Sequence, residues 1–155
     1  MNILADIEEF LALQRIAVVG VSRNAGDFSR MLFRELKKRG YDAVPVNRAA
    51  TEVEGARCHQ SVSAIRPGVD AAIVVTPPGE SAAVVRDCAA AGVKRVWLFQ
   101  GGPGAGAVSE EAVAAGLEAH LSMVVGECPF MFLKGSSWFH GVHAWVRRLA
   151  GRYPN

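Results

Sequence analysis

Cysteine is scarce and unpaired in this chain. Cys58, Cys88 and Cys128 stand far apart among 155 residues. An odd number without close pairs excludes a disulfide framework and zinc-ribbon spacing, and fits a reducing cytoplasm. An excess of one charge is also missing. The 17 Lys and Arg against 15 Asp and Glu leave +2, too near neutral for a nucleic-acid surface. No apolar run approaches the ~20 residues of a membrane span. Asp6, Glu8 and Glu9 stand where a signal peptide would be basic and then apolar, so no export is expected. What is present is 50% apolar residues, 21% charged residues and 16 glycines, the composition of a compact globular chain rather than a disordered one. The length is that of one domain, expected to span 1–155, with core enough to fold without staples.

Ile3, Leu4, Ile7, Phe10 and Leu11 recur at helical spacing and predict an amphipathic helix over about 2–14. IAVVG at 16–20 is a short β-rich run without a polar face, as in a strand covered on both sides of a parallel sheet. A second helix begins near Asp27 and carries Phe28, Leu32 and Leu36 on one face. Lys37, Lys38 and Arg39 fill its last turn, where cations oppose the helix dipole, and Gly40 occupies its C-cap. Further strands are expected at 42–46, 71–75, 93–99 and 120–125. Further helices are expected near 60–65, at 79–91 ended by Gly92, at 108–118 and at 137–150. Glu110 and Glu111 open one of these, where acids favour the dipole; adjacent residues face apart, so they form no catalytic pair. The alternation reads as an α/β, Rossmann-like, doubly wound and mostly parallel sheet of about five to six strands, with helices on both faces.

In such sheets ligands bind beyond the carboxyl ends of the strands, near the point where strand order reverses. The residues that follow each strand are therefore the candidates. After the first come Gly20, Ser22, Arg23 and Gly26, with Ser29 near the helix start. Gly20 permits a tight turn, and small residues let backbone N–H groups approach a phosphate beside the helix N-terminus. Ser22 replaces the second glycine of a GxGxxG fingerprint, so a glycine-rich turn without a ligand stays open. The second strand ends in Val46, Asn47 and Arg48, without the acid that holds the ribose in NAD-binding folds. Asn47 offers a donor and Arg48 a bidentate phosphate contact, which disfavours NAD and leaves NADP or coenzyme A. Thr76, Pro77 and Pro78 make a rigid, mainly apolar wall suited to an adenine face or a pantetheine arm, or else simply begin the next helix. Gln100 and Gly101 open a flexible rim, where Gln100 presents a donor and acceptors.

The four strand ends GVSR, VPVNR, VTPPGE and VWLFQGG, in this order over about residues 14–128, resemble the CoA-binding domain family. This is the stand-alone Rossmann-like domain similar to the N-terminal domain of the succinyl-CoA synthetase α subunit. The resemblance implies that Gly20, Ser22, Arg23 and Ser29 hold phosphates. It implies that Val46, Asn47 and Arg48 flank the nucleotide, and that Thr76, Pro77 and Pro78 line the pocket. Arg48 departs from the family, which commonly has Pro there, and residues 129–155 form a longer, differently arranged tail. In the synthetases the phosphorylated histidine lies in a second domain and the nucleotide-grasp subunit is a separate chain. No residue here aligns with that histidine, so the resemblance implies a ligand class and not ligase chemistry.

The tail holds the remaining chemistry-bearing side chains. His140 and His143, at i and i+3, share a helix face that could converge with Cys128 on a metal or on the thiol, with His59 or His120 as a fourth ligand. The plainer reading packs Cys128 at a strand end and sets both histidines on a helix with Trp138 and Trp145. Cys58 and Cys88 read as packed thiols. Arg147, Arg148 and Arg152 read as a solvated terminus more readily than as a site for an acidic partner. No catalytic or metal residue is therefore assigned. Three functions stand: a cytoplasmic, non-catalytic module for CoA or acyl-CoA, working as a homo-oligomer or with a partner enzyme; an NADP-binding, reductase-like protein without a recognisable proton relay; and a ligand-free oligomeric scaffold presenting Trp97, Trp138 and Trp145.

Overall fold

The structure is a computed structural model that describes residues 3–101 and 106–133. In chain order the elements are α1 (Ile3–Leu11), β1 (Arg15–Val19), α2 (Phe28–Lys38), β2 (Asp42–Val46), the short strands β3 (Glu52–Val53) and β4 (Ala56–Arg57), β5 (Ala71–Val74), α3 (Pro78–Ala90), β6 (Arg95–Phe99), α4 (Glu110–Glu118) and β7 (Ser122–Glu127). Single 3-10 turns cover Val62–Ala64 and Pro129–Met131. The helix expected at 137–150, with Trp138, His140, His143, Trp145 and the three tail arginines, lies outside the described residues.

Five strands form one parallel sheet in the order β2-β1-β5-β6-β7, the expected Rossmann-like α/β arrangement. Alternate strand residues sort to opposite faces, each covered by helices. Ala17, Val19, Ala72, Val74, Val96 and Leu98 pack with Val85 and Cys88 of α3 and Ala112 and Ala115 of α4. Ile16, Val18, Ile73 and Trp97 pack with Ile7 and Phe10 of α1 and Leu32, Phe33 and Leu36 of α2. Burial on both faces explains why these strands read as unbroken apolar runs. Trp97 is fully buried, meets the Phe10 ring edge-on at 5.3 Å and donates its indole N–H to the Glu127 carbonyl at 2.9 Å. It therefore belongs to the core and not to a self-association surface.

Three helices stop by the same device. After α2, α3 and α4 the residues Gly40, Gly92 and His120 take positive φ. The next residue in each case reaches back to a carbonyl five positions earlier: Tyr41 to Leu36, Val93 to Cys88 and Leu121 to Gly116. This is the Schellman pattern, which satisfies helix-end carbonyls. At α4 a histidine fills the role usually given to glycine. The helix ends at Glu118 as the sequence suggests, and β7 begins at Ser122 rather than near 120, just as β6 begins at Arg95 rather than at 93. The β3–β4 hairpin lies between the expected strand at 42–46 and the expected helix near 60–65, where the sequence predicts no element. Its two turn residues, Glu54 and Gly55, both have positive φ, as a two-residue type I′ turn requires.

The order of the strands fixes where a ligand can enter. From β1 the chain steps outward to β2, then returns past β1 to β5 and continues the other way. Val19 pairs with both Val46 and Val74, so the three carboxyl ends lie level at this reversal.

Candidate functional site

A cleft of about 670 Å³ opens at that reversal. It is lined by Gly20 and Arg23 after β1, Val46, Asn47 and Arg48 at the end of β2, and Thr76 and Pro77 after β5. These are sequence candidates brought together from three separate strand ends. Val19 and Ala49 beside them, and Gln60, Ser61, Gly79, Glu80, Ala83, Val84 and Asp87 on the far side, complete the lining and were not sequence candidates. Residues 80, 83, 84 and 87 fall on one face of α3, a helical stripe whose small Ala and Val side chains leave room beside the sheet. Gln60 and Ser61 arrive because the chain after β4 runs beside β2, with Val46 bridging His59.

Gly20 makes the floor of the cleft. Its φ is +98°, and a Cβ there would sit 2.9 Å from both the N and the Cγ2 of Thr76. The β1 and β5 loops touch at this point, and only glycine permits both the turn and the approach. The N–H groups of Gly20 and Val21 donate to the Val46 carbonyl at 2.9 and 3.3 Å. Asn47 adds a clasp: its Nδ2 donates to the Val21 carbonyl at 2.7 Å, and its Oδ1 accepts from the Ala49 N–H at 2.7 Å. Its side chain thus joins two loops of the site.

Ser22 and Ser29 do not line the cleft. The Ser22 N–H donates to Ser29 Oγ at 2.9 Å, and Ser22 Oγ accepts from the Asn24 N–H at 3.0 Å. Both hydroxyls therefore shape the loop. Behind it, Arg30 donates to the carbonyls of Ser22 and Arg23, and Arg34 to that of Ala25. Both guanidiniums also bind Glu54 Oε1 at the tip of the β3–β4 hairpin. The hydrogen bonds from Arg34 and then Arg30 hold the Glu54 carboxyl below its ordinary pKa.

The β5 wall is pinned to α3. Thr76 Oγ1 lies 3.0 Å from Ser81 Oγ, which donates to the Pro77 carbonyl at 3.1 Å. Pro77 is a wall residue, whereas Pro78 is the first residue of α3 and stands outside the cleft lining, which matches the helix-starting reading. Gln100 and Gly101 follow β6 and also fall outside it. Gln100 pairs with Gly106 in an isolated antiparallel bridge.

Two arginines and two acids line the cleft. Arg48 Nη2 reaches Glu80 Oε2 at 3.1 Å, and the Asp87 carboxylate accepts from the Val62 N–H at 2.7 Å and from the Ser63 hydroxyl. Burial pushes Cys88 up to about 12 and also raises Cys58 and Cys128. All three are thiols rather than reactive thiolates near neutral pH. Burial, aided by Arg57 and Arg15, lowers the His59 pKa. Among the described residues no group of three His, Cys, Asp or Glu could hold a metal, and no helix is long and apolar enough to cross a membrane. A second cleft of about 920 Å³ lies between α1, Tyr41 and residues 131–133, beside the amino ends of β1 and β2, and shares no lining residue with the first.

Comparison with known proteins adds the following. A family model described as a CoA binding domain matches residues 14–134. The chain is 26% identical over 87 residues to an ADP-forming acetate–CoA ligase of Methanocaldococcus jannaschii, a match that covers 56% of this chain and 12% of that one. It thus spans about an eighth of that curated relative's length. A hypothetical protein from Pyrococcus horikoshii OT3 superposes with a TM-score of 0.73 at 28% identity, covering 81% of this chain and 85% of the other. The apo form of a dinucleotide-forming acetyl-coenzyme A synthetase 1 of Candidatus Korarchaeum cryptofilum superposes with a TM-score of 0.60 at 30% identity, covering 68% and 24%.

Proposed function

The chain belongs to the CoA-binding domain family, and from that premise we propose that it is a non-catalytic module that binds coenzyme A or an acyl-CoA in the cleft at the β1/β5 reversal. The phosphorylated adenosine end sits at the strand-end loops, over Gly20 and against Arg23 and Arg48. The pantetheine arm follows the Thr76–Pro77 wall. Asn47 with Ser22 and Ser29 keeps the loops in shape, and Val46 lines the base side. The one observation that carries this reading is the convergence of Gly20, Arg23, Val46, Arg48 and Thr76 on a single cleft at the switch point. Ligands of this fold bind there, and the cleft's volume lies within the range of small-molecule sites.

The absence of an acid at the end of β2 favours a phosphorylated ribose, and family membership favours CoA; NADP draws no support from the relatives. We take 1–155 as a single domain of this kind that works in the cytoplasm, as a homo-oligomer or beside a partner enzyme. The presence of related domains within larger ligases supports the second arrangement. The test is a thermal shift panel with CoA, acetyl-CoA, NAD, NADP and ADP, since a ligand bound only by the folded state raises apparent stability. CoA or acetyl-CoA should raise Tm most. A larger shift with NADP than with CoA would refute the reading, and no shift with any nucleotide would favour the scaffold.

A further inference from the structure

Two charged side chains of the cleft are paired with each other from opposite walls. Arg48 follows β2, and Glu80 lies in the first turn of α3, where a carboxylate suits the helix dipole. The other acid of the cleft, Asp87, is bound to the chain at Val62 and Ser63. Arg30 and Arg34, behind the first loop, are bound to Glu54 and to loop carbonyls. Arg48 and Glu80 are different, because their bond is with one another and both are open to solvent, with side chains 79% and 48% exposed. An exposed ion pair of this kind is weak. A phosphate monoester presents up to two charges and a face that matches a guanidinium in a bidentate fashion. The end of the second strand is also where this fold reads a ribose and any phosphate on it.

We infer that Glu80 is a displaceable counter-anion for Arg48, standing where the ligand's ribose phosphate must bind. The inference rests on the CoA reading above and assigns a specific role to Glu80 within it. When the phosphate docks, the guanidinium exchanges a carboxylate for a phosphate. When it leaves, the carboxylate returns. Glu80 thereby weakens the grip on the phosphate and keeps the ligand exchangeable, while contributing nothing to the hold on an unphosphorylated ribose.

The test compares CoA with dephospho-CoA, which lacks only the ribose phosphate, by calorimetric titration at fixed salt. The proteins are the wild type, Glu80→Gln, Arg48→Gln and the double variant. Glu80→Gln should raise the preference for CoA over dephospho-CoA by about two- to fivefold. Arg48→Gln should lower that preference, and adding Glu80→Gln to it should change the preference much less than in the wild type. A merely structural role would move both ligands together and leave the ratio fixed. An unchanged ratio in Glu80→Gln, or an equal change with and without Arg48, overturns the inference while the CoA reading stands. A wild type that binds neither ligand overturns both.

Discussion

At Gly20 a side chain is excluded twice, by a φ of +98° and by Thr76 at 2.9 Å. Gly20→Ala should therefore cost about 2–4 kcal/mol in chemical denaturation and abolish stabilisation by CoA, because the β1 and β5 loops must separate. Asn47→Ala removes the hydrogen bond that joins the β1 and β2 loops, to Val21, and a local one from Ala49 within its own loop, and should cost about 1–2 kcal/mol by the same measurement. Asn47→Asp should be no better, since a carboxylate cannot donate to the Val21 carbonyl. The strand-end glycine was legible in the sequence because few roles need it there. The duties of Ser22, Ser29 and Asn47 were not. Small polar side chains at a turn are equally suited to hold a ligand and to hold the turn itself, and spacing alone does not separate the two.

The helices and sheet strands were readable wherever an apolar period met a cap of the usual kind. Gly40 and Gly92 marked the ends of α2 and α3, and α4 ends at Glu118 as expected although His120 stands in the glycine's place; β6 and β7 each begin two residues later than expected. His120→Gly should relieve left-handed strain and stabilise the protein by about 1 kcal/mol, measured as a shift of the denaturation midpoint. The β3–β4 hairpin was illegible because its strands are two residues long and its turn is Glu-Gly rather than Asn-Gly. That hairpin matters through Glu54, whose carboxyl lies below its ordinary value of 4.5 in the folded protein. A depressed folded pKa means stability that is complete above the unfolded value and is lost as pH falls through the lower folded one. The wild type should accordingly lose stability more steeply than Glu54→Gln as pH drops below 4.5. Parallel curves for the two proteins would show that the Arg30–Arg34–Glu54 cluster contributes nothing.

For the molecule as a whole, runs buried on both faces announced a parallel sheet, and the sheet's order then fixed the place of the cleft. The far wall of the site escaped notice because Gln60, Ser61, Glu80 and Asp87 reach it through a chain path and a helix face. No strand-end rule points to them. Two clefts lie at different places on the chain, one at the carboxyl ends of the strands and one beneath α1, and the central claim is that CoA takes the first. Amide chemical-shift mapping of the isotope-labelled full chain during titration with CoA tests this most directly. The shifts should centre on Gly20, Arg23, Asn47, Arg48, Gly79 and Glu80 and leave Leu4, Ile7, Leu11 and Tyr41 in place. Shifts confined to α1 and Tyr41, or none at saturating CoA, would contradict the claim.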